Sequence, residues 1–561
     1  MSSHKLELAD YSSFAVLLRN GGRFESPAQR KELQDAIKKS TERDIPSIQH
    51  EMQQLLSKLC ELEMTKKDVQ ATVSKFERIL KPTPVERLPT EILIEIFLIL
   101  RDTAEGHITA ITKGLWPVTH VSREWRNIAI SLPKLWSYIT IGVVEKPAKN
   151  QLQLLKTALA RSGSNPLHIQ AFFSWAISDE SDLNGYYGSR ADVTSSDSSI
   201  PPWPSEHQLS EALIKAVVQY SDRWVTARIH VLYPEYLRPI YRRLSSLEKL
   251  TFGGYLDDYP LLFSVAPKLR DVEFFNSDSS TLQLPWTQFV RFHESQWNPR
   301  PDLLPRYLSI LRQYPQLEDF GTEYEEFREG LLPPPFTHHK LKALSCSDHR
   351  LMCCLTLPAL QTLALKASWM RSCPSETIPV ARELMNRSRC ASSLRVLRLG
   401  AIVLNRNVLD LLESTKGLTE LNFTFERWKT SNDAFMKRLI QRMNTCRKLK
   451  KSGGQVLLPR LESFTIDIEA IGSHEWFTCD IQFIDEAYVD MVEARWKSFG
   501  NGISRLQVVK FEGYTPATLN GLTDTCLQKM KKMRDEGLEV YIATMDINST
   551  NEDRKEKTYV K

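Results

Sequence analysis

Residues 394–401 read LRVLRLGA and residues 418–425 read LTELNFTF. Each segment is apolar at its first, fourth and sixth positions and mostly polar between them, and the two start 24 residues apart. Alternation over so short a run predicts a half-buried strand, and its return at a fixed step predicts a repeated structural unit. Eight further segments share the pattern: WVTARIHV (from 224), LEKLTFGG (247), LRDVEFFN (269), LEDFGTEY (317), LKALSCSD (341), LQTLALKA (360), LESFTIDI (461) and LQVVKFEG (506). Successive starts differ by 23, 22, 48, 24, 19, 34, 24, 43 and 45 residues.

These steps cluster around one or two periods of about 20 to 29 residues, the leucine-rich-repeat range. Segments between the cores, such as NVLDLLESTKG and AFMKRLIQRMNTCRK, read as helices. A strand-helix unit of this size cannot bury its apolar face alone, so the units are expected to stack into a curved α/β solenoid. The asparagine usual in such repeats is missing after most cores and the period is ragged, so the solenoid is expected to be degenerate. A Rossmann-like fold is disfavoured because no glycine-rich phosphate loop follows any strand.

The chain has 561 residues, 42% apolar and 25% charged, with a net charge of +5. The length predicts several domains or an elongated array. The small net charge argues neither for nor against acidic partners, and a nucleic-acid binder normally concentrates a denser basic patch. Nine cysteines, an odd number without a CxxC pair, and an N-terminus without a signal-peptide pattern point to a cytoplasmic or nuclear setting. No apolar run long enough to span a membrane occurs.

Upstream of the repeats, Ile45, Ile48, Met52, Leu55, Leu59, Leu62, Lys66, Val69, Val73, Phe76 and Leu80 alternate three and four apart. That is a heptad seam with one charged member, Lys66. It predicts a long helix over 45–81, paired with another chain or packed on its own protein. Next comes VERLPTEILIEIF (85–97), where eight of the nine residues from Ile92 to Leu100 are apolar. A helix on a single core needs only one apolar stripe, so this one has surface left for a partner. Val118, Val121, Trp125, Ile128 and Ala129 recur at helical spacing, followed by the anchors Leu132, Leu135 and Trp136.

Three blocks in order, Leu88-Pro89-x-Glu91-Ile92-Leu93-x-x-Ile96-Phe97, then Val121-Ser122-Arg123-Glu124-Trp125-Arg126-x-Ile128-Ala129, then Leu132-Pro133-Lys134-Leu135-Trp136, resemble an F-box. The resemblance covers roughly residues 45–175 and is nearest to the F-box proteins abundant in mushroom-forming fungi, with the heptad helix ahead of the motif. It implies a small helical unit docking a Skp-type adaptor of a cullin-based ubiquitin ligase. Leu88, Pro89, Ile92, Leu93, Ile96, Phe97, Val121 and Trp125 would build or present that surface, while the solenoid binds an unnamed target protein. The stretch 101–114 is longer than in a minimal F-box.

The expected fold class is therefore α+β, with segments 1–44 (flexible), 45–81 (heptad helix), 82–141 (F-box), 142–545 (repeat solenoid with an insertion loop at 179–208) and 546–561 (flexible tail). A homodimer through 45–81 is possible on this reading, and no cofactor or metal is assigned. Cys346, His349, Cys353 and Cys354, with His338 and His339 nearby, have a zinc-like spacing, but structural zinc sites normally come as paired knuckles; cysteines at a strand end serve equally as small core residues. No GxSxG, Walker, HExxH or kinase motif occurs, so a non-catalytic subunit is expected. The basic run Arg427, Lys429, Lys437, Arg438, Arg442, Arg447, Lys448, Lys450 and Lys451 is read as a solvated helix face rather than a nucleic-acid site. Phe172, Phe173, Trp175, Tyr186, Tyr187 and Trp203, around the insertion, either form a recognition patch or fold back onto the first repeats.

Overall fold

The structure is a computed structural model that describes residues 19, 21, 26–80, 88–103, 108, 115–142, 150–173, 204–231, 233–296, 303–324, 331–366, 374–425, 428–444, 456–468, 479–497, 502–545 and 556–560. It divides into two compact units, Met1–Leu93 and Ile94–Lys561. The architecture is α+β: a long N-terminal helix, then a mixed α/β region with a long parallel sheet.

In the first unit a helix over Pro27–Lys39 runs through a π-helical turn, Ser40–Asp44, into the 36-residue helix Ile45–Leu80. This corrects the expectation of a flexible segment over 1–44 for residues 27–44; residues 1–18, 20 and 22–25 lie outside the described residues. The sequence PAQRKELQDAIKK opens on a proline, which at a first helical position loses no hydrogen bond, and continues with good helix formers. The heptad residues Ile45, Ile48, Met52, Leu55, Leu59, Leu62, Val69, Val73 and Phe76 are all exposed.

In the second unit, every one of the ten cores contains a strand, from Trp224–Val231 to Val508–Thr518. Tyr138–Gly142 and Leu167–Phe173 precede them, and neighbours along the chain pair in parallel throughout the main sheet up to Glu539–Met545. In-register pairing stacks the fourth residue of each core: Leu344, Leu363, Leu397, Leu421, Phe464, Val509 and Val540 stand side by side, all buried. One row earlier, backbone bonds step from repeat to repeat: Gln361 N to Lys342 O at 2.7 Å, Arg395 N to Gln361 O at 2.7 Å, Thr419 N to Arg395 O at 2.8 Å and Glu462 N to Thr419 O at 2.8 Å.

Among the parallel strands of the main sheet that the ten cores do not include are Arg291–Gln296 and Glu539–Met545. Glu539–Met545 follows Leu538 with the same alternation and was readable. Arg291–Gln296 splits the 48-residue step, and its pattern was hidden because Glu294 stands where an aliphatic belongs. Glu294 is buried, and its carboxylate accepts from Arg306 Nη1 at 2.9 Å, Tyr307 Oη at 2.9 Å and Ser279 N at 2.8 Å. Across the long step from 418 to 461, Glu420–Phe425 pairs directly with Ser463–Ile468, and among the described residues between them there is no strand.

Two further boundaries differ from expectation. A helix, Pro204–Val218, begins inside the stretch assigned to the insertion loop, with its proline again at the first position. The C-terminal Glu556–Val560 is a strand, not a frayed tail; it pairs antiparallel with Glu539–Met545 and buries Val560. The rest of the 179–208 insertion lies outside the described residues.

His230 is a second polar group held inside. It is 3% exposed between Phe172 and Phe275, and burial first, then the Arg228 charge, lowers its pKa to about 4. Its ring occupies the space a side chain at position 253 would need: a Cβ on Gly253 would stand 2.4 Å from Nδ1.

Two outcomes test this core. Glu294→Ala takes the buried carboxylate from the Arg306 guanidinium and Tyr307 hydroxyl, leaving Arg306 with Ser279 Oγ at 2.6 Å and Asp278 at 3.8 Å, and should cost about 3 kcal/mol, read by urea denaturation at neutral pH; a loss under 1 kcal/mol would contradict the packing. His230 binds its proton more weakly folded than unfolded, so its contribution is complete above its ordinary pKa of 6.5 and fades as pH falls toward about 4. Stability should therefore decline across that window, and the decline should be shallower in His230→Gln.

Candidate docking surface

The helix Thr90–Thr103 starts at Pro89, whose carbonyl accepts from Ile92 N and Leu93 N, both at 3.1 Å. A residue before proline is biased away from helix, which sets the start just after Leu88. Glu91 in the first turn and Arg101 in the last complement the helix dipole. The division between the two units falls within this helix, after Leu93.

The eight sequence-predicted residues separate by exposure. In the first unit Leu88 is half-buried, Pro89 exposed, Ile92 exposed at 47% and Leu93 buried. In the second, Ile96 and Trp125 are half-buried, Phe97 is fully buried and Val121 is 61% exposed. Leu93 is the inward position of the helix in the first unit and Phe97 in the second, four residues on, as helical periodicity expects of buried positions. Ile96 and Ile99 lie on a different side, where Ile99 is 60% exposed.

Around Phe97 the second unit is tightly built. The Trp125 ring meets Phe97 edge-on at 5.0 Å. Ser122, in extended conformation, caps the helix Arg123–Ser131 by accepting from Trp125 N at 3.1 Å, which fixes where that indole stands. Arg126 Nε donates to Thr119 O at 2.7 Å, tying this helix to the short turn Val118–Val121. The anchors Leu135 and Trp136 are fully buried, with Trp136 Nε1 donating to Ala129 O at 2.7 Å and Trp116 Nε1 to Ile108 O at 2.6 Å. The two indoles pack edge-on at 5.0 Å, and the Arg161 guanidinium lies 4.6 Å from one ring and 5.2 Å from the other. Burial lowers the Arg161 pKa, and ring faces partly replace its lost water. Arg101 Nη1 donates to Lys134 O at 3.2 Å while its guanidinium covers Tyr138 at 4.3 Å. Arg101 thus ties this block to the first strand, Tyr138–Gly142, and Arg161 ties it to the helix Gln151–Arg161; neither was found in the sequence.

A second polar surface runs across that sheet. Lys249, Asp271, Arg291 and Asp319 are successive register partners and alternate in charge. Lys249 lies 3.7 Å from Asp271, Arg291 3.0 Å from Asp271 and 3.1 Å from Asp319, and His293 Nε2 2.8 Å from Asp319. Burial works to raise the Asp319 pKa, but His293 and Arg291 outweigh it and hold it low.

The zinc-spaced residues do not gather. Cys346 is buried at the end of strand Ala343–Cys346, Cys354 is buried and Cys353 half-buried. Burial pushes the thiols of Cys353 and Cys354 up, toward the neutral form that binds metal poorly. Among the described residues no group of three or more His, Cys, Asp and Glu side chains is placed to hold a metal ion. In the basic run, Lys437 lies 4.0 Å from Asp485 and Arg442 pairs with Glu413; Arg427, Arg447, Lys448, Lys450 and Lys451 lie outside the described residues. Phe173 is buried and Phe172 half-buried, while Trp175, Tyr186, Tyr187 and Trp203 lie outside the described residues.

Comparison with known proteins bears on this block. Residues 85–142 match the F-box-like family. An F-box-like domain suggests a role in binding the adaptor of a Skp-cullin-F-box ubiquitin ligase, and F-box proteins are generally non-catalytic substrate adaptors. No curated protein matches the chain. Among solved structures it is similar to a crystallised Bacteroides fragilis protein, at 13% identity and a TM-score of 0.25, over 43% of this chain and 67% of that one. A likeness that slight carries no argument.

The exposure split makes a direct test. Phe97→Ala should cost about 3–5 kcal/mol, whereas Ile99→Ala, on the exposed side, should stay within about 0.5 kcal/mol. Equal losses in chemical denaturation would mean the helix presents a different face.

Proposed function

We propose that this chain is the substrate-recognition subunit of a Skp-cullin-F-box ubiquitin ligase, of the kind found in mushroom-forming fungi and working in the cytoplasm or nucleus. The observation that carries the reading is that apolar residues within the F-box-like match stay exposed in each unit: Pro89 and Ile92 in the first, Ile99 and Val121 in the second. Leu93, Phe97 and Trp125 act behind that surface by holding the helices in place, and Leu88 and Ile96 at its margin.

The parallel-sheet region, read as a degenerate leucine-rich-repeat solenoid, would hold the target. Its charged ladder of Lys249, Asp271, Arg291 and Asp319 is already paired, so it offers a preorganised polar surface. No catalytic residue is needed on this chain. Holding a target beside the ligase-bound ubiquitin raises the effective concentration of the target's lysines.

A second reading is a non-catalytic repeat scaffold that self-associates through its heptad helix, favoured by the exposed seam from Ile45 to Phe76. Adaptor capture separates the two. The intact chain should retain a purified Skp-type adaptor, and Leu88→Ala/Pro89→Ala or Ile92→Glu/Val121→Glu should lose it by at least about tenfold without loss of thermal stability. Failure of the unsubstituted chain to bind the adaptor would leave only the scaffold reading.

A further inference from the structure

The π-helical turn Ser40–Asp44 has a consequence for the seam. Ile37 and Ile45 are eight residues apart, one more than a heptad, so in an unbroken α-helix they would face different directions. A π-turn takes up about one extra residue. The rotation from Ile37 to Ile45 therefore returns close to whole turns, and Leu33, four residues before Ile37, joins the same line. The turn thus adds Leu33 and Ile37 to a seam already running from Ile45 to Leu80. Ile37 is 55% exposed, and the apolar seam residues from Ile45 to Phe76 are exposed as well. A straight apolar line along a helix of this length fits another long helix better than a globular patch.

We propose that this face pairs with a second copy of the same chain as a parallel, in-register, two-stranded coiled coil from Leu33 to Leu80. Charge patterning selects the partner. Written as heptads with Ile45 at the first seam position, the flanking position ahead of a layer faces the flanking position five residues on in a parallel partner. Those pairs are Asp44 with Gln49, Glu51 with Leu56, Lys58 with Glu63, Thr65 with Gln70 and Thr72 with Glu77. One is attractive, formed twice by symmetry, and none sets like charges together. Charges of both signs are mixed along the helix, so no opposed ends favour antiparallel pairing. Lys66, the one charged seam residue, selects two strands, where its ammonium reaches water past the seam.

The inference deepens the self-association reading and is independent of adaptor docking. Sedimentation of the full chain at tens of micromolar should show a dimer, and Leu55→Glu/Leu62→Glu a monomer; a monomeric unsubstituted chain overturns the pairing altogether. Under mild oxidation Ile48→Cys and Phe76→Cys chains should each cross-link to themselves, with the unsubstituted chain, whose Cys60 points away from the seam, as control. Linking only in a mixture of the two variants would show antiparallel helices and overturn the parallel register. Leu33→Ala/Ile37→Ala should weaken the dimer at least about tenfold, with helicity unchanged by circular dichroism; undiminished dimerisation would remove the π-turn from the seam.

Discussion

In-register stacking of identical positions in successive parallel strands is the constraint on which the rest of the second unit depends. Each strand is too short to persist alone, and each contributes one or two buried apolar side chains to rows shared with its neighbours, as Leu397, Leu421 and Phe464 do. A one-residue slip in any pair would turn those side chains to the other face. Register is therefore enforced by burial at every step, and the backbone bonds one row earlier repeat it. Loops of unequal length are tolerated because they lie outside these rows.

A sheet built this way has two exposed edges, which are open templates for unwanted pairing. Among the described residues, the chain closes neither edge with a further parallel strand. At the first edge Ile108 N donates to Thr140 O at 2.8 Å, and the paired indoles with Arg161 pack the helical block beside it. At the other, the antiparallel strand Glu556–Val560 ends the parallel run. The helical block beside the first strand is thus anchored by its own tryptophans, Trp116 and Trp136.

The periodic parts of the chain were legible. All ten repeat cores became strands, the heptad run became a helix and the three blocks around Leu88, Trp125 and Trp136 fell within the F-box-like match. The misses were local and have physical causes. Arg291–Gln296 was overlooked because Glu294 breaks the apolar alternation, and its cost is met by Arg306 and Tyr307 from a helix no pattern links to it. Pro27–Lys39 and Glu556–Val560 were taken for flexible ends because charge obscures short elements, one stabilised by helix propensity and the other by an available strand edge. Arg161 was invisible because its partners, Trp116 and Trp136, are distant in sequence.

By itself, then, the sequence determined which segments repeat, where the periodic strands and the heptad helix lie and the presence of surplus apolar residues after Leu88, because these follow from local periodicity and backbone preference. Only the tertiary structure decided which apolar residues that surplus comprises. Leu93, Phe97, Ile92 and Ile99 are all large apolar side chains that a hydrophobic pattern reads alike. The first two are buried and the others exposed because packing against distant side chains, Trp125 for Phe97, selects one face of the helix, and that selection is a property of three-dimensional contact rather than of residue type.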